Sequence, residues 1–267
     1  MAEEKKQEMS FLQHLEALRW HLVRSAAVIG ILAFVLFCYK EFVFDTVIFG
    51  PMHNDFLTYR ALCKISHMTG LGDTLCMQNI SFTLVNLDLS GQFTTHIWTS
   101  VIGGVVTGSP YVLWELWRFI RPALEEKERR YTTGVVFYAS ILFIMGILFS
   151  YYIIVPMTIN FLGNYQVTPL IKNTISMDSY ISTVTILTLI MGLVFELPIV
   201  IYFLTKIGLL GSNFMRKYRR HAIVVILIIA AVITPTSDIP TLVIVSTPLY
   251  ILYEASIFVA KYVEKKK

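Results

Sequence analysis

One stretch of the sequence carries acidic and basic side chains in an order that predicts a free carboxylate. In the run Pro122–Tyr131 the first two glutamates each lie four residues before an arginine, which is the favoured order for ion pairs along a helix. Glu128 has no cation at such a spacing. An unpaired carboxylate is suited to bind an incoming guanidinium through a bidentate, charge-assisted contact. Arg118 and Arg121 are the competing partners within the chain.

A second carboxylate lies within an apolar run. Glu196 falls inside the segment Tyr180–Leu204, two residues before Pro198. An ionisable group at membrane depth costs on the order of 2.5 to 3.5 kcal/mol, so it normally faces protein or a water-filled cavity. Two interpretations remain open for Glu196. We favour polar contact with a partner helix or with the chain's own bundle over a proton relay.

The sequence contains little that resembles a catalytic motif. Gly70-Leu-Gly-Asp73 matches the short signature of intramembrane aspartyl proteases, but no neighbouring apolar run supplies a second aspartate. The chain also lacks His-Glu-x-x-His, phosphate-loop and Gly-x-Ser-x-Gly motifs. We therefore expect no enzymatic activity, no metal and no cofactor.

The three cysteines suggest one structural cross-link. Cys38 falls in the first apolar run, whereas Cys63 and Cys76 share a long polar loop. A disulfide between these two would close a loop of about 14 residues and stabilise the fold by roughly 3 kcal/mol in the chain-entropy model. Two unpaired thiols are the alternative, and we favour the bridge because the loop is expected outside the cytoplasm.

The composition shows what must surround these residues. Hydrophobic residues make up 55% of the chain and charged residues only 15%, whereas soluble domains contain about 25% charged residues. This excludes an ordinary soluble enzyme and predicts an outer surface that faces lipid. The net charge of +4 does not indicate nucleic-acid binding, because the basic residues flank the apolar runs. The polar start of the chain also predicts no cleavable signal peptide.

Six apolar segments are long enough, or nearly so, to be transmembrane helices. We therefore predict an all-α polytopic membrane protein with a single membrane domain over residues 1–267. The fifth segment gives only about 18 Å of helix, so it either thins the bilayer or extends a turn beyond the apolar run. The segments are Leu22–Tyr39, Thr95–Trp117, Thr132–Met157, Tyr180–Leu204, Ala222–Ile233 and Thr241–Ala260.

The connecting segments differ in charge, and this predicts the topology. Most of the 22 Lys and Arg residues lie in alternate connections, which places both termini in the cytoplasm. Residues 40–93 then form a long extracytoplasmic loop, and residues 118–131 form a cytoplasmic loop. Residues 10–21 show helical apolar spacing and predict an interfacial helix, whose polar side carries an i,i+3 pair, Glu16 and Arg19.

The order and spacing of several motifs resemble the TatC family, the polytopic receptor subunit of the twin-arginine protein translocase. No single motif is decisive, but the likeness runs over nearly the whole chain. The matching motifs are His14-Leu-Glu-Ala-Leu-Arg19, the block from Ser109-Pro110 to Arg130, Phe195-Glu-Leu-Pro198, Thr234-Pro235 with Asp238, and Pro248-Leu-Tyr to Tyr253-Glu254.

This resemblance implies a receptor without chemistry of its own in the bacterial cytoplasmic (inner) membrane. It would bind the twin-arginine signal peptides of folded proteins and export them with TatA-type and TatB-type single-span partners, using the proton-motive force. It would act as a homo-oligomer within a larger complex. The signal site maps onto Arg19, Phe119 and Glu128, and Glu196 corresponds to the intramembrane glutamate that contacts partner helices. A proton-coupled secondary transporter that uses Glu196 is the alternative function.

Two positions depart from the family pattern. Ala17 stands where the family usually carries a glutamate two residues before the arginine, and the candidate replacement, Glu16, is turned about 100° around the helix. Leu242 stands where many members carry a glutamine. We include Glu16 in the expected signal site, and we expect the polar partner contact to depend more heavily on Glu196.

Overall fold

A computed structural model describes residues 11–53, 55–68, 76, 82–120, 132–168, 173–234 and 239–266. These residues form ten α-helices, two π-helical turns, a 3-10 turn and two three-residue strands. The helices are α1 Phe11–Cys38, α2 Leu57–Met68, α3 Gly91–Ile120, α4 Thr132–Phe149, α5 Val155–Asn164, α6 Met177–Phe195, α7 Leu197–Lys206, α8 Ser212–Lys217, α9 Arg219–Ile233 and α10 Ile239–Lys266; the strands are β1 Thr83–Val85 and β2 Thr174–Ser176.

Four helical stretches of the described residues are long and apolar enough to cross a membrane. They cover all or most of the first, third, fourth and sixth segments predicted from the sequence, and they identify the chain as a multi-pass membrane protein. The stretches are Leu15–Cys38, Gly134–Asn164, Met177–Lys206 and Thr241–Lys265.

The other two predicted spans correspond to α3 and α9, and their crossing of the bilayer stays a prediction. The helix α3 has 30 residues, which is ample length. The helix α9 has 15 residues and begins three residues before the apolar run, so its length is about 22 Å. The added turn is Arg219-Arg220-His221, so it lengthens the helix but not its apolar part, and α9 remains shorter than the bilayer's hydrocarbon core of about 30 Å.

Three prolines mark where long helices change geometry. Pro156 lies in the first turn of α5, just after the π-helical turn Ser150–Ile154, and Pro198 lies in the first turn of α7. A proline at these positions needs no N–H donor, so the helix can restart there. Pro110 lies inside α3, three turns before its end, where it removes one intrahelical hydrogen bond.

Contacts within the chain define two compact units. The first comprises Met1–Cys38 and Ser100–Ser140, and the second comprises Tyr39–Thr99 and Ile141–Lys267. In the first unit α1 runs without interruption from Phe11, so the helix expected over residues 10–21 is continuous with the first span.

Small residues bring α1 and α3 into backbone contact in the first unit. A Cβ atom added to Gly104 would lie 2.7 Å from the Ile29 carbonyl oxygen and 2.9 Å from the Ala33 nitrogen. Neither backbone atom can move away without displacing its helix. Gly104 is therefore required for close helix approach, as small residues commonly are in membrane bundles.

We predict that Gly104→Val lowers the stability of the protein by about 1–3 kcal/mol, because overpacking forces α1 and α3 apart. The measurement is the thermal unfolding midpoint of the detergent-solubilised protein. Gly30→Val is the matched control, since a Cβ atom at Gly30 meets no other atom within 4 Å. Equal midpoints for the two variants would contradict the proposed helix contact.

The second unit is held together by side chains that bond to backbone carbonyls of distant elements. The Tyr180 hydroxyl donates to the Ile48 carbonyl at 2.9 Å, and the Tyr253 hydroxyl donates to the Met215 carbonyl at 2.8 Å. A cluster around Ile201 and Ile257 packs α7 against α10. Because buried hydroxyls need partners, these contacts fix where each helix lies.

The segment 40–93, expected as a long loop, contains ordered elements of its own. A π-helical turn over Phe42–Ile48 and a 3-10 turn over Gly50–Met52 lead into α2. Strand β1 pairs in parallel with β2, and Phe82 packs against Gly163 at the end of α5. Neither strand was expected, because three residues are too few to show an alternating pattern.

Candidate functional site

The first unit places a buried carboxylate, Glu115 on α3, against His21 on α1. Glu115 is 1% exposed. Its Oε2 bonds to His21 Nδ1, and its Oε1 accepts a hydrogen bond from the Tyr111 hydroxyl at 3.0 Å. The Arg118 guanidinium lies 3.9 Å from Oε1. These donors compensate the desolvation of the charge, which would otherwise be costly.

This network continues an antiparallel register between α1 and α3. Residues later in α3 contact residues that lie progressively closer to the start of α1. The contacts are Gly103 with Leu36, Gly104 with Ala33, Gly108 with Leu32, and Glu115 with His21. The Glu115–His21 bond therefore fixes which side chains lie opposite each other at the ends of the two helices.

Two of the predicted signal-site residues lie at this common end. The half-buried Phe119 ring meets the His21 ring in a T-shaped contact, with centroids 6.0 Å apart. Arg19 lies two residues before His21 on α1 and is exposed. The helix pair thus places the Phe119 ring beside His21, whereas Arg19 points about 160° away from His21 around α1.

Glu16 and Ala17 have different surroundings, as their helical spacing predicts. Glu16 is exposed, whereas Ala17 is half-buried. The prediction of an i,i+3 ion pair between Glu16 and Arg19 is wrong, because this pair is not among the ion pairs that the described residues form. The carboxylate of Glu16 is thus open to solvent near Arg19.

Arg118, one of the expected competitors for Glu128, has other contacts. Its guanidinium carbon lies 5.5 Å from the centre of the Trp114 ring, and its Nη1 is near Glu115. Both contacts lie on α3 itself, within one helical turn. Glu128 and Arg121 fall outside the described residues, and so does the proposed aspartyl-protease motif at Gly70-Leu-Gly-Asp73.

Glu115 and His21 were missed by reasoning from the sequence. Glu115 lies inside the apolar segment Thr95–Trp117, two residues before its end, so the criterion that singled out Glu196 also points to Glu115, at a shallower depth. His21, just before the first apolar run, was the residue in the sequence that could have been considered as the hydrogen-bond partner of Glu115. Joining the two requires the register between α1 and α3, which depends on the close contact at Gly104.

The second unit contains the other carboxylate of interest, Glu196, where α6 ends and α7 begins. Glu196 is 9% exposed, and its Oε1 has no hydrogen-bond partner among the described residues. Its carbonyl accepts from the N–H groups of Ile199 and Val200 at 2.9 and 3.1 Å, so the backbone restarts at this residue. A buried carboxylate oxygen without a donor can bind a polar group of another helix or carry a proton.

The helix before Glu196 packs closely against α4. A Cβ atom added to Gly146 of α4 would lie 2.6 Å from the Met191 carbonyl oxygen and 2.9 Å from the Phe195 Cβ atom. The Phe195 ring also contacts Phe149, with centroids 5.8 Å apart. The helix before the break therefore lies directly on α4, and Glu196 is held at a fixed position.

In the loop between the first two predicted spans, Cys63 and Cys76 form a disulfide, the pairing favoured from the sequence. His67 Nε2 lies 3.8 Å from Cys76 Sγ. Among the described residues these three side chains are the set that could hold a metal ion, but the sulfur atoms bonded to each other are not thiolate ligands. Free Cys38 is exposed on α1.

The chain is similar to known proteins in sequence and in structure. A model of the family described as "Sec-independent protein translocase protein (TatC)" matches residues 13–248. The TatC protein of Blattabacterium sp. subsp. Periplaneta americana is 40% identical over 265 residues, covering 98% of each chain. That of Aquifex aeolicus is 31% identical and covers 97% of this chain and 98% of its own.

A solved structure supports the same assignment. A crystal structure of the twin arginine translocase receptor TatC aligns with a TM-score of 0.69 and 30% identity, covering 94% of this chain and 99% of the other. Sequence similarity over almost the full length and a common fold therefore agree. The chain belongs to the TatC family of Sec-independent protein translocase proteins.

Proposed function

We propose that this chain is the receptor subunit of a twin-arginine translocase and binds the signal peptides of folded cargo proteins. The observation that supports this proposal is the contact of the Phe119 ring with His21, which packs the end of α3 against the part of α1 that carries the exposed side chains of Glu16 and Arg19. The family, whose solved member is described as a receptor, supports the same function.

In this proposal each side chain has a separate physical role. The carboxylate of Glu128 accepts a signal-peptide guanidinium through a charge-assisted bidentate contact. The Phe119 ring offers an apolar and π surface for the residues that follow the arginine pair. The exposed carboxylate of Glu16 replaces the family glutamate absent at Ala17. Arg19 binds carbonyl or carboxylate oxygens of the peptide and orients it.

The remaining parts of the proposal concern the assembly. The chain lies in the bacterial cytoplasmic membrane with both termini in the cytoplasm, as its charge distribution indicates. Single-span TatA-type and TatB-type proteins dock their helices near Glu196, several copies assemble in one complex, and the proton-motive force drives export. The buried oxygen of Glu196 without a donor supports a polar contact of this kind.

The proposed receptor function is tested by photo-crosslinking from position 119. We expect a benzophenone amino acid at Phe119 to crosslink a twin-arginine signal peptide added to the chain in lipid nanodiscs. A peptide with two lysines is the control ligand, because an ammonium cannot form the bidentate contact. The same photoprobe at Trp98, an exposed position of α3 about 31 Å away along the helix, is the control site. Equal crosslinking at both positions contradicts the proposal.

A proton-coupled transporter is the second candidate function, and the break at Glu196 favours it specifically. Interrupted helices with a buried carboxylate are typical of substrate and ion sites in secondary transporters. If the receptor function is correct, Glu196→Gln weakens capture of a TatA-type protein, and the chain alone in proteoliposomes shows no proton-driven solute uptake. Uptake that is lost in Glu196→Gln would instead establish the transporter.

A further inference from the structure

The short helix α2 has an exposed face that differs sharply from its buried one. Tyr59 and Ser66 are buried on one side of the helix. On the opposite side Leu57, Ile65 and Met68 are 62%, 50% and 78% exposed, and their spacing places them in one stripe along the helix. Three large apolar side chains in one exposed stripe are unusual for a surface in water.

A basic edge runs beside this apolar stripe. Arg60 and Lys64 are exposed and lie one helical turn apart. His67 is exposed on the same edge. The sequence of α2 from Leu57 to Met68 contains no acidic residue. An apolar stripe bordered by cations is the pattern of a helix that lies in the interface of a membrane with anionic lipids.

The contacts of α2 fix its depth relative to the long span Gly134–Asn164. The Thr58 hydroxyl donates to the Tyr152 carbonyl, and the Phe56 ring stacks on the Tyr152 ring with centroids 5.6 Å apart. The buried Tyr59 hydroxyl donates to the Pro51 carbonyl at 2.9 Å and approaches that of Pro156 at 3.4 Å. Burial raises the pKa of the Tyr59 phenol, which keeps it a donor.

These contacts place the start of α2 at the level of the hydrocarbon. The span Gly134–Asn164 has 31 residues and is about 46 Å long, whereas the apolar core of a bilayer is about 30 Å thick. A core of that thickness placed anywhere along the span includes the level of Tyr152. The helix bonded to Tyr152 therefore begins at the depth of the hydrocarbon rather than far out in water.

We propose that α2 is an interfacial helix that binds anionic phospholipid in the leaflet where the Asn164 end of that span emerges. Leu57, Ile65 and Met68 enter the boundary between acyl chains and headgroups. Arg60 and Lys64 extend their aliphatic stems along this surface and bind lipid phosphates. The disulfide of Cys63 with Cys76 ties the helix to the following chain and keeps its orientation.

The first test measures the depth of Ile65 with a spin label. A nitroxide is attached at Ile65→Cys in a Cys38→Ser background, with the native disulfide left oxidised, in nanodiscs containing phosphatidylglycerol. We expect oxygen, which partitions into lipid, to relax the label several-fold more effectively than a water-soluble nickel chelate. Leu89→Cys is the matched control, because Leu89 is fully exposed outside any helix, and there the nickel chelate should dominate.

The second test concerns the charges. Replacing phosphatidylglycerol by phosphatidylcholine should draw the label at residue 65 towards water, since each basic residue near an anionic surface adds about fivefold to binding. The double variant Arg60→Gln/Lys64→Gln should lose this lipid dependence. Arg216→Gln/Lys217→Gln, which removes an exposed basic pair from α8, should retain it.

Two outcomes overturn the proposal. If nickel reaches residue 65 as readily as residue 89, α2 faces water. If the label is shielded from both oxygen and nickel, the stripe is covered by protein, either a second copy or another subunit. Labelling at Met68, which is also exposed, repeats the measurement one turn further along and shows that a result at residue 65 does not come from a local disturbance.

Discussion

Glu128→Gln is expected to weaken the binding of twin-arginine signal peptides by one to two orders of magnitude while leaving the protein inserted in the membrane. Glutamine keeps the size of the side chain but removes the charge, so the bidentate contact with a guanidinium is lost. Hydrogen bonds to charged groups contribute about 1.5–3 kcal/mol, which corresponds to a loss of roughly 10-fold to 100-fold in affinity. The measurement is titration of a fluorescent signal peptide against the chain in nanodiscs.

Glu126→Gln is the matched control for this experiment. It removes the same charge two residues away, at a position whose helical spacing predicts a pair with Arg130. A general electrostatic effect of the loop would weaken binding in both variants by the same factor. Equal losses, or full binding by Glu128→Gln, would show that no specific carboxylate recognises the peptide.

Glu115→Leu is expected to weaken both the fold and signal-peptide binding, although Glu115 does not touch the peptide in our proposal. The substitution leaves His21 and Tyr111 without their acceptor. The bond from His21 to a carboxylate alone contributes about 1.5–3 kcal/mol, and the Glu115–His21 contact fixes the register of α1 and α3. We expect a lower thermal unfolding midpoint together with weaker peptide binding.

A double-mutant cycle separates this positioning role from a general loss of stability. Glu115→Leu, His21→Leu and the double variant are compared for peptide affinity and unfolding midpoint. If the two side chains act through each other, the double variant binds no worse than either single one. Tyr111→Phe removes a different hydrogen bond to the same carboxylate and should have a smaller effect. Additive losses would contradict a shared role.

The sequence was informative wherever the decisive feature is local. Gly103, Gly104 and Gly108 lie in the second apolar segment at spacings that suit close helix approach, and all three face α1 in the structure. Glu196 lies two residues before Pro198, a position at which a span can break, and one helix ends and the next begins there. Each of these inferences needed only the spacing of residues within one segment.

The features that sequence reasoning missed depend on contacts between segments. Glu115 and His21 are 94 positions apart, and their bond follows from the register of two helices rather than from either helix alone. The parallel pair of β1 with β2 likewise joins segments about 90 residues apart, and three residues in each carry no pattern. The sequence also could not predict which face of α2 is exposed, because the opposite face is buried through contacts of Thr58 and Tyr59 with the third span.

The backbone contact at Gly104 also has a mechanical consequence. Where bulky side chains separate two helices, rotamer changes can absorb part of a displacement, but here even a Cβ atom at Gly104 would lie 2.7 Å from the Ile29 carbonyl oxygen, so no side chain fits between the two backbones. A pull applied near Arg19 and Phe119, such as the load of a tethered folded protein, is therefore transmitted as tension along both helices together. If the chain binds signal peptides as we propose, the pair transmits force as one rigid unit from the Phe119 end, through about 22 Å of α3, to the level of Gly104.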